Sequence, residues 1–297
     1  MRFKLLIIFM ITLTMLITGC GDDKEDSSST NETEQSANDN KNVVKMPNNV
    51  VIADDNFSNL QLTDYKKPVY DKHTIWERQE LGLPMELPEI TPYIGGKIAY
   101  LTFDDGPDNK NTPKILDILK NYGVLATFYV CGNMVELNPN VLKRIFEEGH
   151  AIGNHSYNHN YKELYPSTEK YLKQINDTDE VIKEIIGVRP LTIRTPGGRV
   201  GMWTPEYEPL MKACGYAEHD WNVSVEDATA KKPNAQQIIA NVKQQMKYGF
   251  KDNAAIILMH SNNGKEQTVD ALPGIIEFLV NEGYDFGVVT PMTPQPW

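Results

Sequence analysis

From residue 97 onward, apolar and polar positions switch regularly between two periods. Residues 98–103 form an apolar run of strand length. Thr112-Pro113 then opens a helix whose apolar positions Ile115, Leu116, Ile118 and Leu119 share one face and end at Gly123. The same alternation predicts strands at 124–130, 151–153, 192–193, 217–223, 255–259 and 286–289, and helices at 139–148, 168–186, 205–214, 234–248 and 269–281. In the longest helix Tyr171, Leu172, Ile175, Ile182, Ile185 and Ile186 make the apolar stripe. Near-continuous apolar strands separated by helices imply a parallel sheet covered on its outer face. About seven such units predict an α/β fold, a distorted (β/α) barrel of about seven parallel strands, with chemistry gathered at the C-terminal strand ends.

The first twenty residues follow a different pattern. A cationic start (Arg2, Lys4) leads into an apolar run over 5–17, then Thr18, Gly19 and Cys20. The run is short for a bilayer span and ends in small residues, as export signals do. It resembles the lipobox of bacterial lipoproteins. That likeness implies that residues 1–19 are a signal peptide and that Cys20 is acylated, holding the protein on the outer face of the cell membrane by lipid alone. Residues 20–48 are expected to be a flexible acidic tether. Between 21 and 40 the acids Asp22, Asp23, Glu25, Asp26, Glu32, Glu34 and Asp39 face only Lys24, among Ser, Asn and Thr, too polar to offset ordering entropy. Residues 49–95, with Tyr65, Tyr70, Trp76 and several prolines, are expected to be a lead-in arm packed on the main domain, 96–297.

Composition narrows the chemistry. Of 297 residues, 40% are hydrophobic and 23% charged, which excludes fibrous and fully disordered classes. A formal net charge of −11 argues against nucleic acid as a partner. The three cysteines make no disulfide framework and no Cys-x-x-Cys pair, so a metal would be held by His and carboxylate.

Unusual polar residues follow the predicted strands. Asp104-Asp105-Gly106-Pro107 follows 98–103; His155 and His159 follow 151–153; Arg194 follows 192–193; His260 follows 255–259. Singly, each is an ordinary turn, surface or core residue. Together they occupy one rim. Two imidazoles and one carboxylate leave a coordination position open, the arrangement of a catalytic zinc whose water is acidified toward neutrality. A second, adjacent carboxylate supplies a base, and His260 from another strand supplies an acid.

The motifs Thr102-Phe103-Asp104-Asp105-Gly106-Pro107, His155-Ser156-Tyr157-Asn158-His159, Arg194-Thr195-Pro196-Gly197-Gly198 and Leu258-Met259-His260 resemble those of the polysaccharide deacetylase (NodB-homology) family, carbohydrate esterase family 4, over about residues 96–297. The resemblance implies a NodB-like distorted barrel and one divalent metal ion per chain, zinc by preference, with cobalt, nickel or manganese as alternatives. The ligands would be Asp105, His155 and His159. It implies Asp104 as base, Arg194 holding that carboxylate, His260 as acid and the Gly197 N–H as an oxyanion donor. Gly197 stands where an aromatic is usual, which removes a groove wall but not the main-chain donor. A further motif of the family, an Asp followed by Trp, is altered, with Ala228 where Trp is common; Asp227 is the candidate partner of His260, and Trp221 a candidate groove aromatic. The implied activity is hydrolytic removal of N-acetyl groups from a polysaccharide by a monomer, with peptidoglycan N-acetylglucosamine the expected substrate. The alternatives are an O-acetyl esterase on xylan or another acetylated glycan and a non-catalytic glycan-binding lipoprotein. Iron oxygenases use the same donor set, but that reading leaves Asp104, Arg194 and His260 without tasks.

Overall fold

The computed structural model describes residues 44–250 and 254–296. The expected signal peptide, Cys20 and most of the expected tether lie outside the described residues.

In chain order the first elements are β1 (Val51–Ala53), β2 (Val69–Asp71), α1 (Ile75–Glu80), β3 (Ile98–Gly106), α2 (Thr112–Tyr122), β4 (Thr127–Val130), α3 (Gly132–Leu137), α4 (Pro139–Glu147), β5 (Ala151–Asn154) and α5 (Tyr161–Leu164). They are followed by α6 (Thr168–Ile186), β6 (Arg189–Pro190), β7 (Thr192–Ile193), α7 (Tyr207–Ala213), β8 (Ala217–Glu218), β9 (Val223–Ser224), α8 (Ala235–Gln245), β10 (Ala254–His260), α9 (Glu266–Asn281) and β11 (Asp285–Gly287). Seven parallel strands lie in the order β8-β7-β5-β4-β3-β10-β9, and β11 pairs with the first half of β3. Among the described residues no ladder joins β8 to β9, so the barrel is open there. This is the α/β distorted-barrel class expected from the alternating pattern.

The core explains why the strands carry so few polar residues. Ile115, Leu116 and Leu119 of α2, Leu142, Ile145 and Phe146 of α4, and Leu272, Ile275, Ile276 and Leu279 of α9 join Phe103, Phe128 and Ile257 of the sheet in one buried cluster. Each fully buried Leu or Ile contributes roughly 1.5–3 kcal/mol. Such a scaffold tolerates several strained residues at one rim.

β1 and β2 pair in parallel, and β2 pairs antiparallel with β6, so part of the segment before residue 95 forms a second small sheet with the body. Ala53, Phe57, Leu60 and Val69 share an apolar cluster with Leu191 and Met292. Thr74 and Glu77 make a reciprocal capping box at α1, a signal present in the Thr-x-x-Glu spacing.

Most expected spans differ from the observed elements by one to three residues at an end, the strand expected over 124–130 starting only at Thr127. Three further differences bear on packing. The strand expected over 217–223 is two short strands, β8 and β9. Arg194 Nε donates to His219 O (2.9 Å) and Nη2 to Asp220 O (3.1 Å), so those carbonyls serve a buried guanidinium instead of a ladder. The helix expected over 234–248 ends at Gln245 and tightens into a 3-10 turn, Met246–Tyr248. α9 starts a turn earlier than expected and continues through Pro273.

Candidate active site

The rim is organised by the end of β3. Asp105 has φ +69°, in the left-handed region, and the β3–β4 register slips between Asp104 and Gly106. A bulge of this kind re-aims side chains. The adjacent carboxylates therefore diverge. A Cβ on Gly106 would collide with Ser261 Oγ as placed, so glycine suits the close approach of the loop after β10 to β3. Ser261 N–H donates to Asp104 O at 3.1 Å, fixing that closure.

Asp105, His155 and His159 converge. His155 Nε2 lies 3.6 Å and His159 Nε2 3.5 Å from Asp105 Oδ1, and the three ligand atoms form one candidate cation group. Ligand atoms about 2.0–2.2 Å from a tetrahedrally held ion stand about 3.4 Å apart. The spacing fits. Asp105 Oδ1 is buried with no hydrogen-bond partner, while Oδ2 accepts from Asn262 Nδ2 at 3.3 Å. His155 Nδ1 donates to Arg194 O at 2.7 Å, which turns the Nε2 lone pair toward the group; this is how a ligating imidazole is usually oriented. Burial, opposed by Asp105, drives the His155 pKa down to about 3 and keeps the imidazole in the neutral form that ligates. Ser156 (φ +71°) and His159 (φ +56°) are also left-handed. Such residues cost of order 1–3 kcal/mol each and persist where surroundings over-determine them.

Asp104 is enclosed beside them. Arg194 is fully buried; its Nη1 donates to Asp104 Oδ1 (2.9 Å) and Thr102 Oγ1 (2.6 Å), and its guanidinium lies 4.2 Å from the Tyr129 ring centre. Burial raises the Asp104 pKa above the usual carboxylate value, against the pull of Arg194 and His260. Burial makes the carboxylate a better proton acceptor than one in water, while Arg194 and His260 favour the charged form that a base needs.

His260 pairs with Asp104 across the β10–β3 register. Its Nδ1 lies 2.7 Å from Asp227 Oδ1; Asp227 Oδ2 accepts from the His260 N–H (3.0 Å) and Thr268 Oγ1 (2.7 Å). Burial alone would lower the His260 pKa. The hydrogen bond and charge of Asp227, with Asp104 and Asp105 behind, outweigh it and raise the value above the ordinary one. An imidazole of raised proton affinity thus sits on the strand next to the enclosed Asp104 carboxylate.

Gly197 has φ +82°, and among the described residues its N–H is given no protein acceptor. Trp221 is half-buried, with its ring 5.8 Å from the Arg194 guanidinium and packed against Gly198. It therefore lines the rim beside the glycine pair. Both tryptophans also pack on the core: Trp221 against the cluster of Tyr100, Tyr129 and Ile256, and Trp203, stacked on Tyr207, against that of Tyr171 and Tyr207. Cys131 and Cys214 are both free and buried.

The motif reading missed Asn262, which holds Asp105, and Asn154, whose Oδ1 accepts the Ser156 N–H. It also missed Tyr161, whose ring centre is 5.3 Å from that of His159. Strand-end position was a usable signal for Asn154; nothing local marks the other two.

The family model for polysaccharide deacetylase matches residues 94–219. The chain is 36% identical over 208 residues to a Bacillus cereus peptidoglycan-N-acetylglucosamine deacetylase, covering 68% of this chain and 70% of that protein. A second B. cereus protein of that name is 34% identical, covering 66% and 88%. Among solved structures, the catalytic domain of a Eubacterium rectale peptidoglycan N-acetylglucosamine deacetylase matches with TM-score 0.63 and 31% identity over 70% of this chain and 95% of that one. A Streptococcus mutans CE4 esterase matches with TM-score 0.62 and 31% identity over 71% and 94%.

Proposed function

The chain belongs to the polysaccharide deacetylase family, and from that membership we propose that it hydrolyses the N-acetyl amide of peptidoglycan N-acetylglucosamine. The further proposal is a monomer, tethered outside the cell through Cys20 as its N-terminal sequence supports. The observation that carries the reading is the convergence of Asp105, His155 and His159 beside an enclosed Asp104, with a paired His260 opposite. A cation at the triad, zinc by donor type, would supply Lewis-acid charge that polarises the acetyl carbonyl and acidifies water.

The chain's own groups account for the remaining steps. Asp104 accepts a proton from the water whose oxygen adds to the carbonyl carbon, and Arg194 keeps that carboxylate oriented. The Gly197 N–H donates to the oxygen as it gains charge; one such donor is typically worth about 10²–10³ in rate. His260 gives its proton to the nitrogen as the C–N bond breaks, and Asp227 holds the imidazole in position and supports its charge. Trp221 offers a face for a sugar ring at the rim. Acetate and a free amino sugar result.

The lipobox-like Thr18-Gly19-Cys20 supports anchoring through Cys20. Among the described residues no helix is long and apolar enough to cross a membrane. Cys20→Ser is expected to release an active protein from the membrane fraction.

The deciding experiment incubates the protein with acetylated glycans, with and without chelator, and follows new amino groups together with acetate. Chelator-sensitive amine release from peptidoglycan is expected. Acetate without amine would replace the amidase reading with an O-acetyl esterase. Metal analysis of the purified protein identifies the ion.

A further inference from the structure

Gly197 and Tyr161 occupy each other's space. A Cβ built on Gly197 would lie 2.6 Å from the Tyr161 hydroxyl oxygen, so that hydroxyl sits where a side chain at 197 would begin. Tyr161 follows His159 by two residues, and its ring lies against the imidazole, with centres 5.3 Å apart and planes 38° apart. From the other side Tyr165 meets the same ring edge-on at 5.6 Å and donates its own hydroxyl to Pro196 O at 2.5 Å. The ring is thus braced between a residue of the cation group and the loop that carries Gly197. Among the described residues the Tyr161 hydroxyl is given no protein hydrogen-bond partner, and the residue is 42% exposed, so its proton is available to something in the groove.

We propose that the Tyr161 hydroxyl is a second hydrogen-bond donor, beside the Gly197 N–H, to the acetyl oxygen of the substrate as that oxygen becomes an oxyanion. The inference rests on the deacetylase reading and adds a catalytic residue outside the four motifs. When the water oxygen bonds to the carbonyl carbon, the C=O pair moves onto the acetyl oxygen and Asp104 takes the water proton. Tyr161 keeps its own proton and shares it in a hydrogen bond that strengthens as charge develops. Glycine at 197 then has a physical role: it provides the left-handed backbone and leaves the volume that the phenol fills.

The test uses the zinc-loaded protein and Tyr161→Phe, which preserves the ring packing and removes only the donor. The readouts are kcat and KM on an N-acetylglucosamine oligomer, affinity for a methylphosphonamidate of glucosamine as a tetrahedral mimic, zinc content and melting temperature. Expected is a loss of about 10²-fold in kcat, with the mimic weakened by a similar factor, while KM, zinc content and melting stay at parental values. Tyr161→Ala should additionally raise KM, because the wall is lost as well.

Parental kcat in Tyr161→Phe, or equal weakening of the mimic and of an unreacted N-acetyl ligand, overturns the donor role while the deacetylase reading stands. A parent protein that releases no amine from any N-acetylated glycan overturns both.

Discussion

Two fully buried arginines, Arg189 and Arg194, stand five positions apart, each against an aspartate, yet their surroundings differ. Arg189 donates to Asp71 Oδ2 (2.9 Å) and His73 O (2.7 Å) and faces Asp179 Oδ2 at 3.5 Å. Asp71 is saturated: it also accepts two bonds from Arg78 and one from the His73 N–H. Asp179 accepts from Asn154 and Tyr216. Around Arg194, by contrast, Asp104 Oδ2 accepts no hydrogen bond among the described residues and lies 3.7 Å from His155 Nε2, next to the unpartnered Asp105 Oδ1. A buried ion pair is therefore a poor marker of chemistry. What distinguishes the Arg194 cluster is that its unfilled acceptor, Asp105 Oδ1, converges with two imidazoles; a buried polar atom without a partner costs about 1–3 kcal/mol unless something else occupies it. The two clusters meet at Asn154, whose amide bonds Asp179 while its carbonyl oxygen holds the Ser156 N–H of the histidine loop.

Substitutions should separate the two clusters. The largest effect is expected from Asp105→Ala or His155→Ala: loss of bound metal and more than about 10³-fold in kcat, because both the Lewis acid and its water are lost. Metal analysis beside initial rates checks it; full activity in a metal-free variant would remove the triad from the reaction. Asp104→Asn should retain metal and lose about 10²–10⁴-fold in kcat, the range of a general base. Its melting temperature should equal or exceed the parent's, since burial already disfavours that charge.

Arg189→Met should show the opposite pattern. Leaving buried Asp179 without its arginine, and Asp71 with Arg78 alone, is expected to cost about 3–5 kcal/mol in chemical denaturation while the folded fraction keeps its kcat. A kcat loss matching that of Asp104→Asn, at parental stability, would erase the contrast between the clusters.

The pH profile follows from the His260–Asp227 pair. His260 must be protonated to act as acid, and its folded pKa lies above 6.5, so the alkaline limb of kcat/KM should fall above that value. Asp227→Asn removes the largest of the influences that raise it, and the limb should move toward lower pH. The linked stability has the same signs. The raised His260 contributes stability below its unfolded pKa that is lost as pH rises through the folded one; the lowered Asp227 contributes stability above 3.8 that is lost as pH falls through its folded value. The smallest effect belongs to Asn262→Ala, where the loss of one bond to Asp105 should weaken metal binding about 10-fold with little change in melting.

The strand–helix alternation was legible because periodicity is local. Its misplaced boundaries come from distant contacts: Arg194 takes the carbonyls of His219 and Asp220 and breaks the strand expected over 217–223. The site's residue types were legible for a related reason. Polar groups directly after apolar strands are conspicuous in sequence, and a parallel barrel brings such ends to one rim. Asn262 and Tyr161 were not legible, since neither breaks any local pattern.

By itself the sequence determined the α/β class, the strand-end placement of Asp104, Asp105, His155, His159, Arg194 and His260, and a donor set suited to a divalent cation. These follow from hydrophobic periodicity and side-chain chemistry, which each segment carries alone. The tertiary structure decided which carboxylate oxygen converges with the two histidines, which of three fully buried arginines lies against Asp104, and that a phenol fills the space above Gly197. Those outcomes depend on a left-handed residue, a slipped register and contacts between residues as far apart as the 157 positions separating Asp105 from Asn262. Long-range packing sets such distances and directions, and no short window of sequence contains them.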